Sequence, residues 1–401
     1  MLGIDVASVR TRLRRLYEIR NDDGSPLLAL EGLRGFSVLL VFCVHVFGWL
    51  LAARTGGSPD ASSLRDFNGL NLLLAWLFLS HHGVHVFFVL SGFLIGRLLQ
   101  RPDFRPRQFI QSRLRRIFPA FALSLMVAIG FRVIVIGDMT VSLPGVVENL
   151  LLLNGIPGLG VAAYNPITWS LFNEVVFYAL VAFICGMFGT GITRHWWQLI
   201  TFALATVFLP LLIGYVDARF MLFFFGLWIA GRDARQLRDL AHAVPTHYVV
   251  GFYVFAATSW PARFVEYGTS IFLFGAATVV LIVKCCYDEG PLRRIATWAP
   301  LRYLGNISYS FYLVHAIAIG WLAHAWSPTA NSVRMGSIVV FAITAFALSW
   351  IAATLLFLIA ERAYFKKSGV RRWLTSTRVG ASESGRGAWL TDVSRLSERE
   401  S

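Results

Sequence analysis

The chain has 401 residues, of which 56% are hydrophobic and only 14% charged, and it carries a formal net charge of +14. A mean hydropathy of +0.63 excludes an ordinary water-soluble domain, whereas a bilayer solvates apolar helices directly. A pI near 10.2 does not make it a nucleic-acid binder, because the basic residues line one membrane face, where anionic lipid and anionic cytosolic substrates would meet them.

In chain order, residues 1–32 form a basic N-tail. Val6, Val9, Leu13 and Leu16 recur at three-and-four spacing with Arg10, Arg12, Arg14 and Arg15 around them, which predicts an amphipathic helix on the inner membrane surface. Ten apolar stretches follow, at 33–53, 83–99, 118–136, 168–188, 196–214, 218–232, 246–260, 266–286, 303–325 and 335–360. A crossing helix needs ~20 residues, with a lower limit of ~17, so the sixth and seventh are short. About 28 of the 36 Lys and Arg fall in the N-tail, the even loops and the C-tail, and about five (Arg54, Arg65, Arg219, Arg263, Arg334) in the odd gaps. The positive-inside rule then places both termini in the cytoplasm.

The segment 101–117 is a second basic stretch running straight into the third span. The loop 137–167 holds no Lys or Arg and faces outward, with an apolar middle, Val146–Leu153, suited to dipping back into the interface or the protein. Residues 361–401 form a basic C-tail without periodicity, expected to be disordered. The expected fold is all-α: a polytopic membrane helix bundle of about ten transmembrane helices, with the membrane domain at 33–360. No cleavable signal peptide is expected, since about 32 mostly polar residues precede the first span. Cys43, Cys185, Cys285 and Cys286 lie in or beside apolar spans and read as packing residues.

Ionisable groups inside the spans carry the functional signal, because a charge at mid-membrane costs roughly 2.5 kcal/mol or more and usually faces a cavity or a partner. His45 follows Arg34 by eleven residues, so it lies about 16 Å deeper on nearly the same helix face. An imidazole there suits a proton acceptor; the alternative is a neutral histidine bonded to a neighbouring helix. Arg113 and Arg116 share a face at three-residue spacing, suited to bidentate phosphate contacts or to inner-leaflet lipid. Glu174 lies near the outer end of the fourth span, about a turn and a half past Trp169, and needs a partner. Tyr309, Tyr312 and His315 line up on one side of the ninth span, suited to lining a channel or equally to ordinary hydrogen bonding between helices. His81, His82 and His85 cluster at the outer start of the second; His81 and His85 have metal-compatible spacing, but no third ligand is near, so no metal is expected. Gly32, Gly35, Ser91, Gly92, Gly226 and Gly305 read as close helix-packing positions.

Several of these segments together resemble the acyltransferase-3 family of membrane proteins, without a fused extracellular SGNH domain. The segment Leu30-Glu31-Gly32-Leu33-Arg34-Gly35, followed by His45, resembles the family's opening, with Glu31 where the family usually has Asp. Val86–Ile95 resembles its second-span signature, Arg113-Leu114-Arg115-Arg116 its arginine pair, Trp169-Ser170-Leu171-Phe172-Asn173-Glu174 its Trp-Ser-Leu-x-x-Glu motif, and Ser308–His315 its late Tyr/His motif. The resemblance implies an enzyme moving an acyl group, commonly acetyl from acetyl-CoA, to a hydroxyl of a glycan or other acceptor. No permanently bound cofactor is expected, and the partners would be acyl-CoA, the acceptor and membrane lipid, at the bacterial inner membrane. It implies His45 as general base with Glu174 as a second catalytic residue, Arg34, Arg113 and Arg116 on the CoA phosphates, and Trp169, Ser170, Tyr309, Tyr312 and His315 along the substrate channel. The rival reading is a proton-coupled transporter or flippase of a lipid-linked sugar, with His45, Glu174 and His315 as a relay; no inverted repeat supports it.

Overall fold

The computed structural model describes residues 6–19, 26–55, 68–79, 82–156, 158–189, 218–262, 264–326, 334–362 and 364. The described residues form helices and connecting turns, with no strand. The fifth predicted span, 196–214, and nearly all of the C-tail lie outside them. Six stretches are long and apolar enough to cross a bilayer, or up to eight if each of two bent helix pairs counts as one span. The protein is therefore a polytopic membrane helix bundle.

Helix α1 (Val6–Tyr17) carries the basic N-terminal segment and is fixed to the bundle at its end. Tyr17 is buried, stacks on Tyr303 at 5.6 Å, and its hydroxyl receives the Trp350 indole N–H at 3.0 Å. Helix α2 (Pro26–Thr55) starts seven residues before the first predicted span. Pro26 occupies its first position, where a missing N–H costs nothing, and buried Leu28, Ala29 and Leu30 hold the extra turns in the core.

The second span is the main correction. Helices α3 (Gly69–Leu79) and α4 (Gly83–Leu99) belong to one apolar stretch of 31 residues that runs back along α2. Arg54 Nε donates to Asn71 Oδ1 at 2.6 Å, Gly48 faces the Phe78 ring, and Gly83 lies against the Ser37 carbonyl. His82 and His85 consequently sit near the middle of this stretch, buried, and not at its outer start. Their Nδ1 atoms are 2.8 Å apart, and His82 reaches the Ala257 carbonyl at 3.0 Å. His81 lies outside the described residues.

Helix α5 (Pro106–Gly130) continues as a π-helical turn, Phe131–Ile136, so the arginine segment and the third span are one element. The 137–167 loop contains α6 (Leu143–Leu150) and a short 3₁₀ turn. It is tied down by buried Asn149, which donates to the Gly145 and Ala162 carbonyls at 2.9 Å, and by Arg132, which pairs with Asp138. Helix α7 (Thr168–Phe188) occupies the residues predicted for the fourth span.

Helix α8 (Met221–Ala230) is too short to cross alone. Helices α9 (Ala234–Ala243) and α10 (Thr246–Thr258) meet at 89°, and α11 (Tyr267–Tyr287) matches the eighth prediction. After a short α12 (Pro291–Ala296), the predicted ninth span divides into α13 (Ala299–Asn306) and α14 (Ser308–Trp326), bent by 80°. The reason is a buried charge: Arg302 on α13 pairs with Glu31 at 3.1 Å and Glu18 at 3.4 Å, holding α13 against the start of α2. Helix α15 (Met335–Leu356) ends the bundle through a π-helical turn, Phe357–Glu361.

Glycines set the closest crossings. A Cβ on Gly92 would lie 2.2 Å from the Phe223 carbonyl oxygen, and one on Gly226 2.1 Å from that of Val89, so α4 and α8 touch backbone to backbone. Gly32, Gly35 and Gly305 do the same between α2 and the α12–α13 segment. All four cysteines are free.

Candidate active site

A cavity of about 110 Å³ opens between α2, α4, α5, α7 and α14. Its lining follows α4 from Val84 to Ile95, about 16 Å of helix at 1.5 Å per residue. Seven of the ten residues singled out in the sequence line it: Arg34, Arg113, Arg116, Ser170, Glu174, Tyr309 and Tyr312. His45, His315 and Trp169 do not.

The arginines and acids form one electrostatic neighbourhood. Arg113 and Arg116 enter from α5 one turn apart, while Arg115 on the same turn is exposed. The Arg113 guanidinium lies 5.5 Å from the Phe109 ring and 5.7 Å from the Tyr178 ring, a stacking geometry that orients the planar group. Arg34 from α2 is within electrostatic reach of Arg116, Glu361 and Glu174. Glu174 accepts hydrogen bonds from the Tyr178 hydroxyl one turn along α7 and from Ser91 Oγ at 3.4 Å. It therefore faces the arginines, and among the described residues no hydrogen bond or ion pair joins it to His45.

At the other end the walls are aromatic and hydroxylic. The Tyr312 hydroxyl donates to the Ile167 carbonyl at 2.8 Å and lies 2.6 Å from Ser170 Oγ, linking α14 to α7. Tyr309 donates to the Ile117 carbonyl at 2.9 Å, linking α14 to α5 just past the arginine pair. Trp169 points away from the lining, with the Arg219 guanidinium 4.0 Å from its ring centroid.

One turn beyond Tyr312, His315 is fully buried and meets His45 across the α2–α14 interface. His315 Nε2 and His45 Nδ1 are 3.2 Å apart, and the two rings lie edge to face at 4.8 Å. Two histidines 270 positions apart in sequence thus form one pair, next to the cavity rather than within its lining.

Three residues at the site were not identified from sequence as functional. Ser91, read as packing, lines the cavity and bonds Glu174, while its neighbour Gly92 does the packing. Tyr178 follows Glu174 at i+4, a spacing that could have drawn notice. Glu361 is buried, receives the Ser310 hydroxyl, and lies within electrostatic reach of Arg116 and Arg34. It was assigned to the C-tail because the apolar stretch ends one residue earlier; an acid at a span's edge beside Arg362 was the available signal.

Fold and site define an integral-membrane enzyme whose charged cavity ends beside a histidine pair. Comparison with known proteins makes the class specific: the acyltransferase-3 domain, described as an acyltransferase domain, matches residues 27–354, and the chain belongs to that family. It is an acyltransferase. It is 29% identical over 320 residues to a protein of Komagataeibacter xylinus named as a membrane-bound transacylase, BcsY, with 71% of each chain covered. It is also 26% identical over 273 residues to the exopolysaccharide production protein ExoZ of Rhizobium meliloti, covering 61% of this chain and 78% of that one. No solved structure matches it.

Proposed function

We propose that the protein transfers an acyl group, most simply acetyl, from acyl-CoA to a hydroxyl of an extracellular polysaccharide or its precursor, working in the bacterial inner membrane. The observation that carries this reading is the cavity itself, which gathers Arg34, Arg113 and Arg116 at one end and leads to Tyr312, one turn from the His315–His45 pair. Three guanidiniums suit the phosphates of CoA, and the stacked Arg113 presents a pre-oriented fork. Glu174 and Glu361 hold those arginines in a site that would otherwise gather like charges. The names of the two relatives, one a transacylase and one an exopolysaccharide protein, support the acyl transfer and the glycan acceptor.

His45 takes the proton of the acceptor hydroxyl as its oxygen attacks the thioester carbonyl. The C–O bond forms, the C–S bond breaks, and the proton passes from the imidazolium to the departing thiolate, leaving the ester and free CoA thiol. The membrane domain at 33–360 holds all of this machinery apart from Glu361; the N-tail (1–32) and C-tail (361–401) otherwise serve attachment to anionic lipid on the cytoplasmic face. The test is release of free CoA thiol from acetyl-CoA by the purified protein with a cell-envelope glycan fraction. Wild type is expected to be active and His45→Ala reduced about 100-fold or more. Equal thiol release by both proteins would remove His45 from the chemistry.

A further inference from the structure

We infer that His315 is a positioning residue that, together with the Val41 carbonyl, fixes which nitrogen of His45 acts as the base; this rests on the acyl-transfer reading above. The argument uses only donors and acceptors. His315 Nδ1 faces two backbone carbonyls, Tyr312 O at 2.7 Å and Phe311 O at 3.2 Å. A carbonyl oxygen only accepts, so this nitrogen carries the hydrogen, and in a neutral ring Nε2 is then a lone pair. That lone pair points at His45 Nδ1, 3.2 Å away, which also lies 2.8 Å from the Val41 carbonyl. His45 Nδ1 thus faces two acceptors and must be the N–H nitrogen. The lone pair of His45 is left on Nε2, and among the described residues no hydrogen bond engages that atom.

Each ring is anchored to the backbone of its own helix. Val41 is one turn below His45 on α2, the Tyr312 carbonyl is on the same turn of α14 as His315, and Phe42 and Phe311 pack edge to face between the two helices at 5.9 Å. Imidazole in water favours the opposite tautomer, with hydrogen on Nε2, which would present a donor to the acceptor hydroxyl and block proton abstraction. The His315 lone pair and the Val41 carbonyl together hold the Nδ1–H tautomer of His45, and His315, as the side-chain acceptor, does for it what a carboxylate does in a hydrolase triad without placing another charge in the membrane. When Nε2 takes the hydroxyl proton, the Nδ1–H bond to His315 becomes charge-assisted and stabilises the imidazolium. His315 thus acts through His45, by a hydrogen bond between helices and from beside the cavity lining.

Two measurements test this. The first is ¹⁵N NMR of histidine-labelled wild type in bilayers, with His45→Asn as the difference sample. The Nδ1–H tautomer is expected for His45, and finding the Nε2–H tautomer would overturn the inference whatever the activity. The second compares thiol release by His315→Leu and His315→Gln, each checked for a monodisperse profile. Loss of the acceptor in His315→Leu is expected to lower kcat at least about tenfold with KM for acetyl-CoA unchanged, and Gln, whose amide oxygen accepts from Nδ1–H, is expected to restore most of it. Equal activity of Leu and wild type, or a raised KM with unchanged kcat, would overturn it. An inactive wild type would instead count against the acyltransferase donor or acceptor and leave the tautomer result standing.

Discussion

At the residue scale the proposed reaction divides labour between arginine contacts to the CoA phosphates and proton transfer at His45. The arginines are held by ring faces and acids, so truncating them removes charge-assisted contacts to phosphate worth about 1.5–3 kcal/mol each. Arg113→Ala/Arg116→Ala should weaken acetyl-CoA affinity by roughly 100-fold or more, whereas Arg115→Ala, an exposed neighbour on the same turn, should leave it within about twofold; titration of each variant distinguishes them. Outside the spans, hydrogen bonds from Thr140 and the Arg132 guanidinium hold the Asp138 carboxyl down at about 2. A depressed carboxylate contributes stability above its ordinary value and loses it as pH falls through the folded one. The Arg132–Asp138 tie should therefore persist from neutrality to below pH 4, and proteolysis of the 137–167 loop should be equally slow at pH 7 and pH 5. Faster cutting at pH 5 would mean another group opens the loop.

At the element scale, most spans were legible because a bilayer demands long apolar helices, and α4, α7 and α11 fall within a residue of the predicted limits at each end. What was not legible has particular causes. Gly69–Leu79 was left in a loop because polar residues and histidines interrupt the hydropathy between it and α4, yet it pairs with α2, buries Leu74 and Ala75 and leaves Leu72, Leu73 and Trp76 exposed. The break at Ile307 was invisible because Arg302 is paid for by acids on two other elements, Glu18 and Glu31, which no local pattern reveals. Glu174 and Arg113, read from sequence on separate segments, share a cavity in which Tyr178 touches both. The glycine positions were read correctly, and they predict a contrast. Gly92→Ala would drive a Cβ to 2.2 Å from the Phe223 carbonyl and should cost about 1–3 kcal/mol, whereas Gly186→Ala on α7 meets nothing within 4 Å and should be neutral or slightly stabilising. Thermal unfolding in detergent, followed by size exclusion, reads both; equal melting would mean that the α4–α8 crossing relaxes freely.

On the scale of the whole molecule, the bundle brings together parts of the chain that no local motif connects: α2 and α14 supply the histidine pair, α5 two of the cavity-lining arginines, α7 an acid, and the last π-helical turn another. The segments resembling the family marked most of these residues, but the pairing of His45 with His315 needed the three-dimensional crossing. The asymmetry of basic residues predicts that reporters fused after the last span and within the 101–117 segment stay cytoplasmic while one in the 137–167 loop is exported; an exported C-terminal reporter would reverse the orientation and put the arginines on the wrong side for cytosolic CoA. On the proposed reading the arginine-lined cavity is the acyl-CoA site, and the histidine pair beside it does chemistry rather than binding. Calorimetric titration of acetyl-CoA into wild type, Arg113→Ala/Arg116→Ala and His45→Ala tests it most directly. Binding that the arginine change abolishes and the histidine change spares is the predicted result. Undiminished binding by the arginine variant, or none by well-folded wild type with acetyl-CoA and other short acyl-CoAs, would contradict it.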